Sequence, residues 1–133
     1  MKVAIVTNDG RTVSQHFGRA PYYLVVTIQN DEIVSYETRP RRTPHSTGQG
    51  GQAHTHQPGQ PHGMGPEAAS RHAGMAAQIQ DCDILIAGGM GTGAVQAMEA
   101  AGLRVILTDV RDINFALTAL MNGSLADRRE RMD

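Results

Sequence analysis

Apolar positions along the chain follow two rhythms: short unbroken runs, and stretches in which they recur every three or four residues. The run Val3-Ala4-Ile5-Val6 is closed by the turn formers Asn8-Asp9-Gly10 and predicts a buried strand over 2–7. Residues 22–29 and 32–38 are rich in Val, Ile, Tyr and Thr, with only Asn30-Asp31 between them. Both of those residues tolerate the positive φ of a tight turn, so the pair of runs predicts a hairpin. Pro66 suits a first helical position, and Ala68, His72, Met75, Ala76 and Ile79 then share one face, which predicts a helix to about Gln80. Residues 83–87 read as a second buried strand, 88–93 as a glycine-rich turn, and 94–101 as a helix stopped by Gly102. A third buried strand follows over 103–108. Asp112 is placed to cap a last helix, with Ile113, Ala116, Leu117 and Leu120 inward and Asn122-Gly123 as its end. Residues 127–133 are charged and expected to be solvated.

Apolar strands alternating with helices imply an α/β fold: a parallel core sheet covered on both faces, extended at one edge by the antiparallel hairpin. Ligands collect outside the carboxyl ends of such strands. That rule gathers residues 8–17, 88–93 and 108–112 at one rim and leaves Cys82, just ahead of its strand, at the other. Composition shifts abruptly over 39–66, which holds five of the six prolines, six glycines and four histidines and almost nothing to bury. This reads as a loop inserted in a single domain spanning 1–133.

Charge and cysteine content narrow the function. A formal net charge of −1 offers no basic excess for phosphates, so no nucleic-acid partner is expected. Apolar runs such as 84–87 and 105–107 fall far short of the roughly 20 residues that cross a bilayer, and the chain enters a strand pattern at once. The expectation is a cytoplasmic protein with no membrane association. The single cysteine makes neither an intramolecular disulfide nor a cysteine-ligated zinc or iron-sulfur site. Metal chemistry would lean on histidine, backbone or a second subunit.

Candidate chemistry centres on His16-Phe17-Gly18-Arg19-Ala20-Pro21-Tyr22, where an imidazole is followed by a glycine that lets the chain turn and an arginine that can balance an anion. A lone histidine is more often structural, but this one falls at the ligand rim, with Asn8 near it. The turn Gly89-Met90-Gly91-Thr92-Gly93 joins a strand to a helix, where unpaired amides and the helix dipole favour an anion; the bland reading is that the glycines only permit a sharp turn. Gly89 to Ala94 also fits the G-x-G-x-x-G/A dinucleotide pattern, with Asp109 about twenty residues on. Against a nucleotide-binding enzyme, the chain after Asp109 is too short for the second half of a dinucleotide crevice. His45, His54, His56 and His62 lie in the 39–66 segment and are candidate ligands for zinc, copper, nickel or cobalt, or else part of a solvated linker. His72 and Cys82 read as packed residues, Met75 and Met98 as core, Met90 as a soft contact at the rim, and Arg39, Arg41 and Arg42 as a solvated basic run that could offset anionic charge.

Taken together, His16 to Tyr23 after the first strand, the glycine turn with Met98 and Gly102-Leu103-Arg104-Val105, and Asn122-Gly123-Ser124-Leu125 resemble the dinitrogenase iron-molybdenum cofactor biosynthesis family. That family includes NifX-like carriers, the cofactor-binding domain of nitrogenase accessory proteins and the orange protein. The resemblance spans nearly the whole chain apart from 39–66. It implies a three-layer α/β/α, ribonuclease-H-like fold with a five-stranded mixed sheet, and the binding of an anionic metal-sulfur cluster without catalysis. The cluster would be the iron-molybdenum cofactor, its precursor, or a related molybdenum, iron or copper sulfide. The family's cofactor-linked histidine maps onto His16 and its glycine turn onto residues 88–93. Partners would be the assembly proteins that donate or accept the cluster, with the chain a monomer or weak homodimer. The alternative is a metal-ion buffer or chaperone working through the histidine segment. A nuclease is not supported, since only Asp9, Asp109 and Asp112 are carboxylates at the rim and two-metal sites need several converging.

Overall fold

The computed structural model describes residues 1–41, 72 and 74–132. Strands β1 (Lys2–Thr7), β2 (Tyr22–Gln29), β3 (Glu32–Pro40), β4 (Ile84–Ala87) and β5 (Arg104–Leu107) form one sheet in the order β3-β2-β1-β4-β5. β1, β4 and β5 are parallel, and the β2–β3 hairpin is added antiparallel, as the apolar runs imply. Helices α1 (Thr92–Ala100) and α2 (Ile113–Met121) lie against opposite faces.

The register explains the unbroken apolar runs. Val25, Ala4, Leu85 and Val105 are cross-strand partners on the face covered by α1, while Leu24, Ile5, Ile86 and Ile106 make the matching row under α2. Each parallel strand is buried on both sides, so it has no polar face to alternate with. Met75, Ala76 and Ile79 join α1's Ala94, Val95 and Met98 in the first core, and Ile113, Ala116 and Leu117 fill the second. The result is the α/β/α layering with a five-stranded mixed sheet that the resemblance implies.

Four expectations change. β3 runs to Pro40, so Arg39 and Pro40 are ladder residues rather than the start of the loop. His72 and 74–77 are helical but 78–80 form turns, so this helix stops short of Gln80; residues 67–71 and the segment bearing His45, His54, His56 and His62 lie outside the described residues. The basic run is not simply solvated. Arg39 makes a fork to Asp81 and Glu37, and Arg41 is buried at 4% exposure.

The fourth concerns residues 127–132, whose side chains are largely exposed but whose backbone is docked. The Asp127 carboxylate accepts from the Leu107 amide (3.0 Å), and the Arg128 amide donates to the Leu107 carbonyl (2.7 Å). After a 3-10 turn, Arg129–Arg131, Met132 forms a parallel bridge with Met90 and packs on the α1-side core. The expected solvated end therefore crosses the carboxyl ends of β5 and β4. Among the described residues no helix is long and apolar enough to cross a membrane.

Candidate functional site

The loop after β1 builds the rim. Its first turn is held by Thr7 and Asp9: the Thr7 hydroxyl donates to the Thr12 carbonyl (2.6 Å) and accepts from the Gly10 amide (2.9 Å). Asp9 accepts from the amides of Arg11 and Thr12 (both 2.9 Å), and those donors hold its carboxyl down at about 2. Gly10, at φ 78°, supplies the left-handed step that closes the turn. Asn8 is exposed at its start.

The chain then lies across the strand ends. Val13 donates to the Arg111 carbonyl (2.8 Å), Ser14 to Val6 (2.8 Å), Gly88 back to Ser14 (2.8 Å) and Phe17 to Gly89 (3.0 Å). Val13 is buried in the α2-side core and Phe17 in the α1-side core, so the segment is fastened through both layers. His16 sits between these anchors and is exposed. Its amide donates to the Ser14 hydroxyl (3.2 Å), which donates to the His16 carbonyl (3.3 Å). The same carbonyl accepts from Arg19 and Ala20 (3.1 and 3.2 Å), closing a tight turn that exposes Gly18 and Arg19 beside the imidazole.

The glycine turn is less open than a bare amide cradle. A Cβ on Gly88 would stand 2.5 Å from the Gln15 amide nitrogen and 2.8 Å from the Ser14 carbonyl oxygen, and one on Gly89 would stand 2.7 Å from the Gln15 carbonyl oxygen. These two glycines admit the chain's own loop. Arg131 adds a further tie, with Nε donating to the Gly88 carbonyl and Nη2 to the Gln15 side chain (both 2.5 Å). Met90 is 1% exposed and turned into the core, so its side chain does not face the rim as expected. Gly91, half-buried, is the N-cap of α1 and makes no side-chain cap bond; exposed Thr92 and half-buried Gly93 open the helix.

Beneath the His16 turn lies Arg41, which the sequence places in a basic run able to offset anionic charge but which is buried rather than solvated. One guanidinium nitrogen donates to the carbonyls of Phe17 and Ala20 and another to the Met75 sulfur (3.4 Å). The group stacks at 4.3 Å from the Phe17 ring centre and 4.7 Å from that of Tyr23. Burial pushes its pKa below the ordinary arginine value. Ser14 and Gln15 lie in the 8–17 stretch that the strand-end rule brings to the rim, but their bonds, and the tie from Arg131, have no signal in the sequence.

The structure thus gathers Asn8, His16, Gly18, Arg19 and the turn 89–93 along one rim. Cys82 lies ahead of β4 at the opposite rim, packed and buried, its thiol pushed up to about 11 by burial and the nearby Asp81 charge. Among the described residues there is no group of three or more His, Cys, Asp and Glu side chains placed to hold a metal ion. A cavity of about 510 Å³ between Tyr36, Leu24, Arg11 and the start of α2 contains none of the expected binding residues.

Solved structures share this fold at low identity. The apo orange protein of Desulfovibrio gigas matches at TM-score 0.59 and 21% identity, covering 96% of this chain and 92% of that one. A protein of Methanocaldococcus jannaschii described as a "putative dinitrogenase" matches at TM-score 0.63 and 13% identity, over 96% and 94%. A protein of Thermotoga described as a "putative NifB protein" matches at TM-score 0.60 and 22% identity, over 95% and 91%. No curated protein matches the chain. The family model described as dinitrogenase iron-molybdenum cofactor matches residues 1–123, and on that match the chain belongs to the dinitrogenase iron-molybdenum cofactor family.

Proposed function

We propose that the chain is a non-catalytic carrier or scaffold for an anionic metal-sulfur cluster, the iron-molybdenum cofactor, a precursor or a related molybdenum, iron or copper sulfide. The observation that carries this reading is His16: an exposed imidazole at the carboxyl ends of the parallel strands, on a turn fastened to the glycine turn by the 3.0 Å bond from Phe17 to Gly89. In it, His16 is a ligand to a cluster metal, and Arg19, exposed and in none of the ion pairs among the described residues, offsets negative charge. Gly18 carries nothing that would crowd a bulky ligand, since even a Cβ there would meet no atom within 4 Å. The first amides of α1, from Thr92 and Gly93 beyond the Gly91 cap, add the favourable end of the helix dipole, with Asn8 as a polar edge. Gly89 and Met90 then hold the turn in shape rather than touch the ligand. The chain acts as one domain in the cytoplasm, as a monomer or weak homodimer, receiving cluster from one assembly protein and passing it to another.

The test is elemental analysis and visible absorption on untagged protein purified without oxygen, with His16→Ala and a deletion of residues 45–62 alongside. Stoichiometric iron or molybdenum with sulfide, lost in His16→Ala and kept in the deletion, is the expected result. Colourless protein whose only metal is zinc, copper, nickel or cobalt, lost with residues 45–62, would overturn it in favour of a histidine-segment buffer.

A further inference from the structure

Arg41 is an expensive way to fill its place. Its guanidinium is removed from water, yet among the described residues its partners are two carbonyls, a thioether and two aromatic faces, and Nε has no hydrogen-bond partner there. Among the described residues it takes part in no ion pair. Withdrawing a charge from water is costly unless another charge answers it, and a methionine or leucine would cover Phe17 and Tyr23 without that cost. What a neutral side chain would not supply is a fixed positive charge beneath the exposed surface of the His16–Ala20 turn. The two carbonyls it binds are those of Phe17 and Ala20, so the cation lies directly under the residues that carry Gly18 and Arg19 outward. At 4% exposure the cation acts on that surface largely through protein, where a field is weakly screened.

We propose that Arg41 is the buried counter-cation of the rim site, a positioning residue that holds the His16–Ala20 turn and selects multiply charged anions over singly charged ones. The inference rests on the cluster-carrier reading and adds to it a charge class for the ligand: a dianion or higher. Both cations act in proportion to ligand charge, but Arg19, being exposed, is screened by salt and solvent, so the discrimination by number of charges falls to Arg41.

The experiment compares two tetrahedral sulfide anions of the same shape, tetrathiomolybdate (2−) and tetrathiorhenate (1−), by anaerobic titration calorimetry on wild type, Arg41→Met and Arg41→Lys, with folding checked by thermal unfolding. Arg41→Met is expected to weaken the dianion about tenfold and the monoanion about threefold, since the lost Coulomb energy scales with ligand charge. Arg41→Lys is expected to keep the wild-type ratio. If Arg41→Met does not fold, Arg41→Gln, whose amide can still donate toward the Phe17 and Ala20 carbonyls, carries the same expectation. Equal losses for both anions would mean that Arg41 only shapes the turn, and no loss would mean that it only packs; either overturns the inference and leaves the carrier reading standing. If wild type binds neither anion, this inference fails, while the carrier reading is decided separately by the metal and sulfide content of protein purified without oxygen.

Discussion

At Gly88 and Gly89 the decisive quantity is the missing Cβ. A side chain at Gly89 would drive its Cβ to 2.7 Å from the Gln15 carbonyl oxygen, which is backbone and cannot swing away. Gly89→Ala should therefore cost about 1–3 kcal/mol in urea unfolding, whereas Gly91→Ala, with nothing within 4 Å of its Cβ position, should stay within about 1 kcal/mol of wild type. A Gly89→Ala variant as stable as the parent would show that residues 12–17 are not held against the turn in solution. The sequence marked residues 88–93 as a strand-to-helix turn with two readings, a ligand cradle or a sharp bend. Its glycines divide the work: 88 and 89 admit the chain's own loop, while 91 to 93 open α1. No local pattern could separate these roles, because Gly88 and Gln15 are more than seventy residues apart.

Elements whose determinants are local were legible; those fastened at long range were not. The hairpin turn needs two consecutive left-handed residues, and Asn30 and Asp31 adopt φ 54° and 62°. Asp112 caps α2 by accepting from the Phe115 amide (2.8 Å), and Gly102 and Gly123 take positive φ just past the two helices. Residues 127–132 carry no periodicity, only charge, and their hold is made of backbone bonds, the Asp127 carboxylate, the Arg129 and Arg131 guanidiniums and Met132. That hold is measurable by amide exchange: Asp127→Ala should speed exchange at Leu107 at least about tenfold, while the amides shared between β1 and β2 keep their protection. Unchanged protection at Leu107 would mean that the segment is not docked. The burial of Arg41 was hidden for the same reason, since Phe17, Ala20, Tyr23 and Met75 stand eighteen or more residues from it.

For the molecule as a whole, the carboxylates with lowered pKa values set the acid limit of stability. Backbone donors hold Asp9 at about 2, Arg39 lowers Asp81, and Arg39 also lowers Glu37. A carboxyl lowered on folding stabilises the native state above its ordinary value near 4, and that contribution is lost as pH falls through the folded value. Tm should then decline from about pH 4 toward pH 2, and Asp9→Asn, with nothing to titrate at this position, should decline less steeply over that interval. Identical profiles would remove Asp9 as a source of acid sensitivity.

The wall formed by Arg41 and Met75 has a different kind of consequence. Arg41 touches the Met75 sulfur, the Tyr23 hydroxyl donates to the Met75 carbonyl (3.1 Å), and the Gln78 side chain donates to the Pro40 carbonyl (3.1 Å). The chain thus leaves the sheet at Pro40 and Arg41 and is again beside that point at Met75 and Gln78. Joining two fixed points costs only about 0.6 kcal/mol more for each doubling of the chain length between them. Changing the length of chain between these two points therefore costs little in closure, and a protein engineer can graft a module or open the chain for circular permutation there.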